Sequence, residues 1–189
     1  HSEVVVVTRD RERLFCKIAG SFAMTGLNIL SADVFTRGDN LVIDTFRVCT
    51  DRYEAATNAL DRKNFKKTIA QSFQDENFNL RDALQQKQEK IIAPVEDAEF
   101  PTRLTLDNET SREHTLLHIQ TPDRIGLLYD ITSCFADLNI VIAHSRITTE
   151  KGAALDTFYL TLPQIGKIVD PALQEKLLQA LRGAIALQK

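Results

Sequence analysis

The chain has 189 residues, of which 43% are apolar and 26% are charged, and its formal net charge is -3. These values are typical of a soluble globular protein with one or two small domains, and they exclude a disordered or fibrous chain. The slightly acidic balance also disfavours nucleic acid as a partner, because a surface that binds phosphate backbones needs an excess of Lys and Arg.

The cysteines and the apolar runs indicate a cytoplasmic protein. Cys16, Cys49 and Cys134 are odd in number and widely spaced, which is typical of reduced thiols rather than of a disulfide framework. No apolar run is long enough to span a bilayer and no leader precedes Val4, so we expect no membrane partner. Because the chain lacks an initiating Met and enters a strand pattern directly, we also expect it to be part of a longer protein.

The main feature of the sequence is an internal repeat. A shift of 113 positions aligns nine identical pairs, and a further one-residue slip aligns Asp156-Thr157-Phe158 with Asp44-Thr45-Phe46. A repeat of this size indicates a duplicated domain rather than a solenoid. The identical pairs are 8 and 121, 10 and 123, 11 and 124, 14 and 127, 18 and 131, 22 and 135, 23 and 136, 29 and 142, and 36 and 149.

The first copy reads as strand, helix, strand, strand. Residues 4–8 are mostly Val, as in a buried strand, and apolar residues then recur at helical spacing. Gly26 is predicted to end that helix in the left-handed conformation, and the aligned residue of the second copy, Asn139, also adopts it readily. Residues 27–36 and 41–49 are predicted to form a hairpin with its turn at 37–40.

A polar segment follows the hairpin. Asp51 is a suitable N-cap for a helix to residue 60, and 64–90 carries apolar residues at helical spacing, as an insertion or a tethered helix. An acidic link between Pro94 and Pro101 leads to a predicted strand at 102–106, taken as the last strand of the first domain. We therefore predict a first domain at 3–109 with an insertion near 64–100.

The second copy repeats the order over 112–189. It is predicted to have strands at 114–121, 140–149 and 153–162, a helix at 125–138 and a hairpin turn at 151–152. Asp170 and Pro171 are suitable for the start of a last helix, and Gly183 is predicted to end it. Only 184–189 then remain for a fourth strand, which is short or missing.

The predicted fold class is α+β, with two tandem ferredoxin-like βαββαβ domains that have antiparallel sheets and helices on one face. Such sheets leave an edge and a face open. The two copies are expected to cover these surfaces by pairing with each other, and a homo-oligomer through the sheets is a further expectation.

The sequence Asp-Arg-Ile-Gly-Leu-Leu at 123–128, between a strand and a helix, resembles the signature of the ACT domain, and 10–14 is a degenerate copy of it. More specifically, the segments 31–37, 44–48, 105–109 and 123–131 resemble the C-terminal tandem ACT region of the bacterial protein-PII uridylyltransferase/uridylyl-removing enzymes. The chain departs from that family in its Lys/Gln-rich segment and at Val141, where the family pattern has Asn.

The resemblance implies a regulatory module that senses a small amino acid, most simply glutamine, and signals nitrogen sufficiency to upstream catalytic domains acting on protein PII. It implies no cofactor in this fragment and Mg in the catalytic domain of the parent enzyme. The alternative is a free-standing tandem ACT regulator that acts through protein contacts. The coding sequence upstream distinguishes the two.

The turn before the second-copy helix suits a carboxylate, because it exposes backbone N–H groups at a positive helix end, and Gly126 lets a ligand approach closely. Two alternatives stay open: Gly126 only relieves crowding, and Asp123 and Arg124 only cap the helix in solvent. The predicted ligand-binding residues are Asp123, Arg124, Ile125, Gly126, Leu127 and Asn28. A degenerate second site is predicted from Asp10, Arg11, Arg13, Asn139 and Val141.

The two copies have lost complementary parts of this pattern. The second copy keeps Gly126 but has Val141 in place of Asn, whereas the first keeps Asn28 but has Arg13 in place of Gly. Side-by-side domains would place the loop of the second copy beside Asn28, which predicts one composite site per chain and a second that Arg13 blocks. The alternative is that each loop only shapes its own domain.

No catalytic residues and no metal site are predicted in this fragment, whereas the parent enzyme would be catalytic. His114 and His118 share a strand face without a Cys, Asp or Glu at ligand spacing. Cys16 and Cys134 have no base nearby in sequence, and no Gly-rich phosphate loop is present. The chain alone should not transfer or remove uridylyl groups.

Overall fold

The computed structural model describes residues 1–50, 54–56, 58–75, 78–88, 101–150 and 152–186. In chain order the strands and helices are β1 (Ser2–Arg9), α1 (Leu14–Thr25), β2 (Asn28–Asp33), β3 (Thr36–Arg37), β4 (Leu41–Cys49), α2 (Ala59–Gln74), α3 (Leu80–Gln88), β5 (Arg103–Asp107), β6 (Thr115–Pro122), α4 (Leu127–Asp137), β7 (Val141–Arg146), β8 (Thr149–Glu150), β9 (Ala153–Thr161) and α5 (Pro171–Ala186).

All nine strands belong to one antiparallel sheet, ordered β1-β4-β2-β7-β9-β6-β5, with the short β3 and β8 paired to β4 and β9. The order β1-β4-β2 in the first half is repeated as β6-β9-β7 in the second, and the halves meet edge to edge where Asp33 lies opposite Arg146. The helices form one layer over the sheet, with α1 and α4 side by side at its centre, α2 and α3 on α1, and α5 on α4. The predicted fold class is confirmed.

The two predicted helix ends are confirmed in detail. Gly26 has φ 76° and donates its N–H to the carbonyl of Ala23 at 3.0 Å, and Asn139 has φ 56° and donates to the carbonyl of Ala136 at 3.1 Å. Both residues adopt the left-handed conformation that turns the chain from a helix into the next strand. The repeat therefore conserves a backbone geometry through two different residue types.

The strand at 102–106 was assigned to the wrong half of the sheet. β5 pairs with β6, from Arg103 opposite Gln120 to Asp107 opposite Leu116, so it completes the second half and not the first. Only residues 108–114 separate β5 from β6, and such a short loop closes at low entropic cost. A domain boundary at 109 would cut this hairpin, so β5 belongs with the second half.

The predicted end of the last helix at Gly183 is also wrong. α5 continues to Ala186, so residues 184–186 form no strand, while 187–189 lie outside the described residues. Leu177 and Leu181 are fully buried, and their packing holds the helix through a residue of poor intrinsic propensity. The edge position that a fourth strand would occupy is taken by β5.

The polar segment after the first hairpin packs against the core. The predicted N-cap Asp51 lies outside the described residues; the helix begins at Ala59, after Asn58, whose side chain accepts the N–H of Leu60 at 2.8 Å. Phe65 of α2 stacks on Phe22 of α1 with ring centroids 4.2 Å apart. α2 is therefore the second helix of the first half rather than an insertion, and the acidic link predicted between Pro94 and Pro101 lies outside the described residues.

Two helical glycines should respond to Ala in opposite ways. A Cβ at Gly20 would lie 2.6 Å from Cδ2 of Leu80 and 2.7 Å from Cδ2 of Tyr129, whereas nothing lies within 4 Å of a Cβ at Gly183. We expect Gly183→Ala to stabilise the protein by about 0.5–1 kcal/mol and Gly20→Ala to destabilise it by about 1–2 kcal/mol through overpacking. Urea denaturation of both variants tests this; equal stabilisation by both would contradict the packing described.

Candidate functional site

The loop that leads into α4 has the geometry predicted for it. Asp123 donates its N–H to the carbonyl of Gly152 at 2.8 Å, which holds the loop against the hairpin of the same half. Gly126 then adopts φ 86°, a value that residues with a side chain rarely take, and α4 begins at Leu127. The N-cap Gly126 provides no side-chain cap for the first turn of α4, and Gly126 and Leu127 at this positive helix end line a cavity together with Asn28 of the first half.

Asn28 crosses that seam to the loop. It begins β2 in the first half, and its Nδ2 donates to Oδ2 of Asp123 in the second half at 2.8 Å. Oγ1 of Thr149 donates to the same oxygen at 3.2 Å. The structure thus brings together the two parts that the complementary losses predicted to lie together, and the binding of a ligand there stays a prediction.

A small cavity of about 20 Å³ lies at this junction. It is large enough for one water molecule, so a free amino acid could enter only if the loop and the start of β2 moved apart. Ile125 is partly buried against the core and does not line the cavity. The residues with polar side chains that line it, together with Gly126, are Asn28, Asp123, Arg124, Tyr129, Thr149 and Asp156.

Arg124 is held by both helices of the second half. Its Nη2 lies 2.7 Å from Oδ2 of Asp130 on α4 and donates to the carbonyl of Ala184 on α5 at 3.0 Å. Its side chain is only 17% exposed, and its Nη1 is buried without a hydrogen-bond partner among the described residues. The interpretation of Arg124 as a solvated turn residue is therefore wrong, and a residue that lines the cavity carries a buried cation with an unused donor.

Two carboxyl groups line the same cavity as Arg124. Burial raises the pKa of Asp156 to about 7, although Thr148 donates its N–H to Oδ1 at 3.2 Å, and the charge of Asp123 raises it further. Burial also raises the pKa of Asp123, against the hydrogen bonds from Asn28 and Thr149. The junction therefore holds acidic and basic groups in one poorly solvated place, which suits a zwitterion.

The corresponding loop of the first half has the same backbone and different side chains. Asp10 donates its N–H to the carbonyl of Asn40 at 2.9 Å, as Asp123 does to Gly152, and Arg13 adopts φ 60° where the second half has Gly126. Nη1 of Arg13 lies 2.7 Å from Oδ1 of Asp137 at the end of α4.

The remaining residues of the predicted second site do not contact one another in a single pocket among the described residues, and each has its own surroundings. Arg11 places its guanidinium 4.6 Å from the ring centroid of Phe73, Asn139 ends α4, and Val141 is 45% exposed. Asp10 is exposed, unlike the half-buried Asp123. This arrangement favours the prediction that Arg13 keeps the second site closed, and that prediction remains to be tested by binding.

Thr149 and Asp156 line the cavity but were not among the predicted site residues. The signal for Asp156 was in the repeat, because Asp-Thr-Phe occurs in both copies inside a strand. A charged residue at a position that alternation places towards the core is unusual, and Asp44 and Asp156 are indeed only 1% and 4% exposed.

In the part of the chain that the structure describes, no three His, Cys, Asp or Glu side chains come together as a metal site. None of the helices described there is long and apolar enough to cross a membrane. Nδ1 of His118 lies 3.1 Å from Oγ1 of Thr157, and the three cysteines are free thiols.

Comparison with known proteins agrees with this architecture. Residues 103–188 match the family described as "ACR9-like, ACT-like domain", which includes β5 in the second half. The chain is 32% identical over 97% of its length to the bifunctional uridylyltransferase/uridylyl-removing enzyme of Rhodospirillum rubrum, and equally to that of Gluconobacter oxydans. It is 34% identical over 80% of its length to that of Ruegeria pomeroyi.

The chain spans about a fifth of the length of these relatives, 20% for the first two and 16% for the third. The similarity extends over both halves of the sheet and so includes the seam that holds Asn28 and Asp123. The resemblance found in the sequence is confirmed: residues 103–188 match an ACT-like domain, and nearly the whole chain is similar to about a fifth of the length of bifunctional uridylyltransferase/uridylyl-removing enzymes.

Proposed function

We propose that this chain is the amino-acid-sensing part of a cytoplasmic uridylyltransferase/uridylyl-removing enzyme that acts on protein PII, and that glutamine is its ligand. The observation that carries the proposal is the hydrogen bond from Asn28 to Asp123, which joins the two halves beside the uncapped start of α4. A ligand at this point would touch both halves at once.

The chemistry of the junction fits a free amino acid. The start of α4 and the unused Nη1 of Arg124 are donors for the α-carboxylate. Asp123 and Asp156 are acceptors for the α-ammonium group, and a cation there would lower both of their pKa values. An amide side chain would add a donor and an acceptor that the Asn28 amide can match.

The small size of the cavity indicates how binding would be coupled to regulation. Because about 20 Å³ admits no amino acid, the ligand must separate Asn28 from Asp123 and change the contact between the halves. We propose that the attached catalytic domains respond to this change. Mg belongs to the chemistry of those domains and has no role at this junction.

The proposal predicts selective thermal stabilisation. Millimolar glutamine should raise the melting temperature of the chain by several degrees, because a ligand of the native state stabilises it by about 1–3 kcal/mol at 10 to 100 times its dissociation constant. The controls are D-glutamine, which has the opposite configuration at Cα, and glutaramide, which has neither the α-carboxylate nor the α-ammonium group. If no common amino acid shifts the melting temperature, the sensor proposal fails for this chain, and the alternative of a regulator that acts only through protein contacts is favoured.

A further inference from the structure

The outer edge of β1 is an exposed strand of unusual composition. Among the strands that the structure describes, β1 pairs only with β4, whereas the equivalent edge in the second half, β6, carries β5. Residues 4–7 are four valines, with Val5 53% exposed and Val7 60% exposed. No Lys or Pro interrupts this edge, although such residues usually protect free edges from pairing with another chain.

The register identifies the backbone groups that face outward. Asp10 donates its N–H to the carbonyl of Asn40, and these two residues continue the β1–β4 register by one step beyond its last pair, Arg9 opposite Leu41. Because bonding alternates along an antiparallel ladder, the even-numbered residues of β1 bond to β4. The N–H and C=O groups of Glu3, Val5, Val7 and Arg9 therefore point away from the sheet.

This edge is complementary to itself. In an antiparallel pair of two β1 strands related by a two-fold axis at Val6, Glu3 lies opposite Arg9 of the second copy, and Val5 lies opposite Val7. All four are outward-facing residues, so every outward N–H and C=O from Glu3 to Arg9 gains a partner. The present hydrogen bond of Arg9 Nη1 to the carbonyl of Asp39 is exposed and can be exchanged for the Glu3 carboxylate.

We propose that this chain forms a symmetric dimer through its two β1 edges, so that one continuous sheet runs through both copies. The opposite-charge pair and the valine pair fix the register, and the unprotected edge supplies the hydrogen bonds. The proposal rests on the strand edge alone and is independent of amino-acid binding at the seam.

Sedimentation equilibrium of the chain over micromolar to millimolar concentration tests the dimer. We expect a reversible monomer–dimer equilibrium. Val7→Pro should raise the dimer dissociation constant at least about tenfold, because each of the two copies loses the outward N–H of residue 7, while the hydrogen bonds to β4 are kept. Val7→Thr keeps the N–H group and is the matched control. A chain that stays monomeric throughout, or a dimer that Val7→Pro leaves unchanged, would overturn the proposal.

Charge reversal tests the register independently of the proline variant. Glu3→Lys and Arg9→Glu should each weaken the dimer, and the double variant should restore it, because each reversed residue then lies opposite its reversed partner. Circular dichroism of each variant confirms that it is folded. If the double variant dimerises no better than the single ones, the two β1 strands do not pair in this register.

Discussion

Replacing Asp156 by Asn is expected to stabilise the folded protein by roughly 1–3 kcal/mol at pH 8. The side chain is 4% exposed and its pKa is raised to about 7 by burial, so ionisation in the folded state is costly. Asn keeps an oxygen that can accept the N–H of Thr148 and has no charge to bury.

The sign of the pH dependence follows from the raised pKa. The protonated carboxyl contributes stability that is fully present below the unfolded value of 3.8 and is lost as the pH rises through about 7. The free energy of unfolding should therefore fall between pH 5 and pH 8 in the wild type and fall less in Asp156→Asn. Urea denaturation at both pH values measures this.

A carboxylate with the opposite shift is the control for this experiment. The pKa of Asp107 is lowered to about 2 by hydrogen bonds from Thr110 and the backbone. This carboxyl group is ionised throughout the range from pH 5 to pH 8, so Asp107→Asn should not change how the free energy of unfolding depends on pH there. If Asp156→Asn destabilised the protein at pH 8, the burial of an ionisable carboxyl at the seam would have no energetic cost and the interpretation of the junction would be wrong.

Gly126→Arg is expected to weaken amino-acid binding by about 100-fold or more while leaving the protein folded. The first half shows that an Arg can occupy this backbone position, since Arg13 adopts φ 60° at a cost of about 1–2 kcal/mol. At 126 the side chain would stand at the start of α4 and compete for the carboxylate site. Calorimetric titration with glutamine measures the loss.

Asn28→Ala provides a second variant at the same junction, from the other half of the sheet. A composite site requires it to weaken the same binding event as Gly126→Arg. Val141→Ala is the matched control, because Val141 holds the position in the second copy that Asn28 holds in the first. Normal affinity in Asn28→Ala would show that the loop binds its ligand without the first half.

The site was predictable where both copies constrained the backbone. Gly126 and Arg13 align in the repeat, and both adopt the left-handed conformation, although one is Gly and the other Arg. The complementary losses at Asn28 and Val141 indicated that the site combines the two halves, and the hydrogen bond from Asn28 to Asp123 agrees with that.

The neighbour of β5 and the partner of Arg124 could not be predicted, because both depend on tertiary packing that the local sequence does not determine. Alternation identifies β5 as a strand but not its neighbour, because either half had a free edge beside its first strand. The hydrogen bond from Arg124 to Ala184 exists only because the packing of Leu181 carries α5 past Gly183. Local propensity at Gly183 predicted the opposite, so the partner of Arg124 could not be found from sequence.

Calorimetric titration of the intact chain with glutamine tests most directly whether Asn28 and the Asp123 loop form one composite site. The arrangement predicts a stoichiometry of one glutamine per chain, because only this junction has both the glycine loop and the amide, while Arg13 lies at the equivalent place in the first half. A stoichiometry of two would show that both loops bind independently, and no binding heat over a range of temperatures would contradict the assignment of this seam as an amino-acid site.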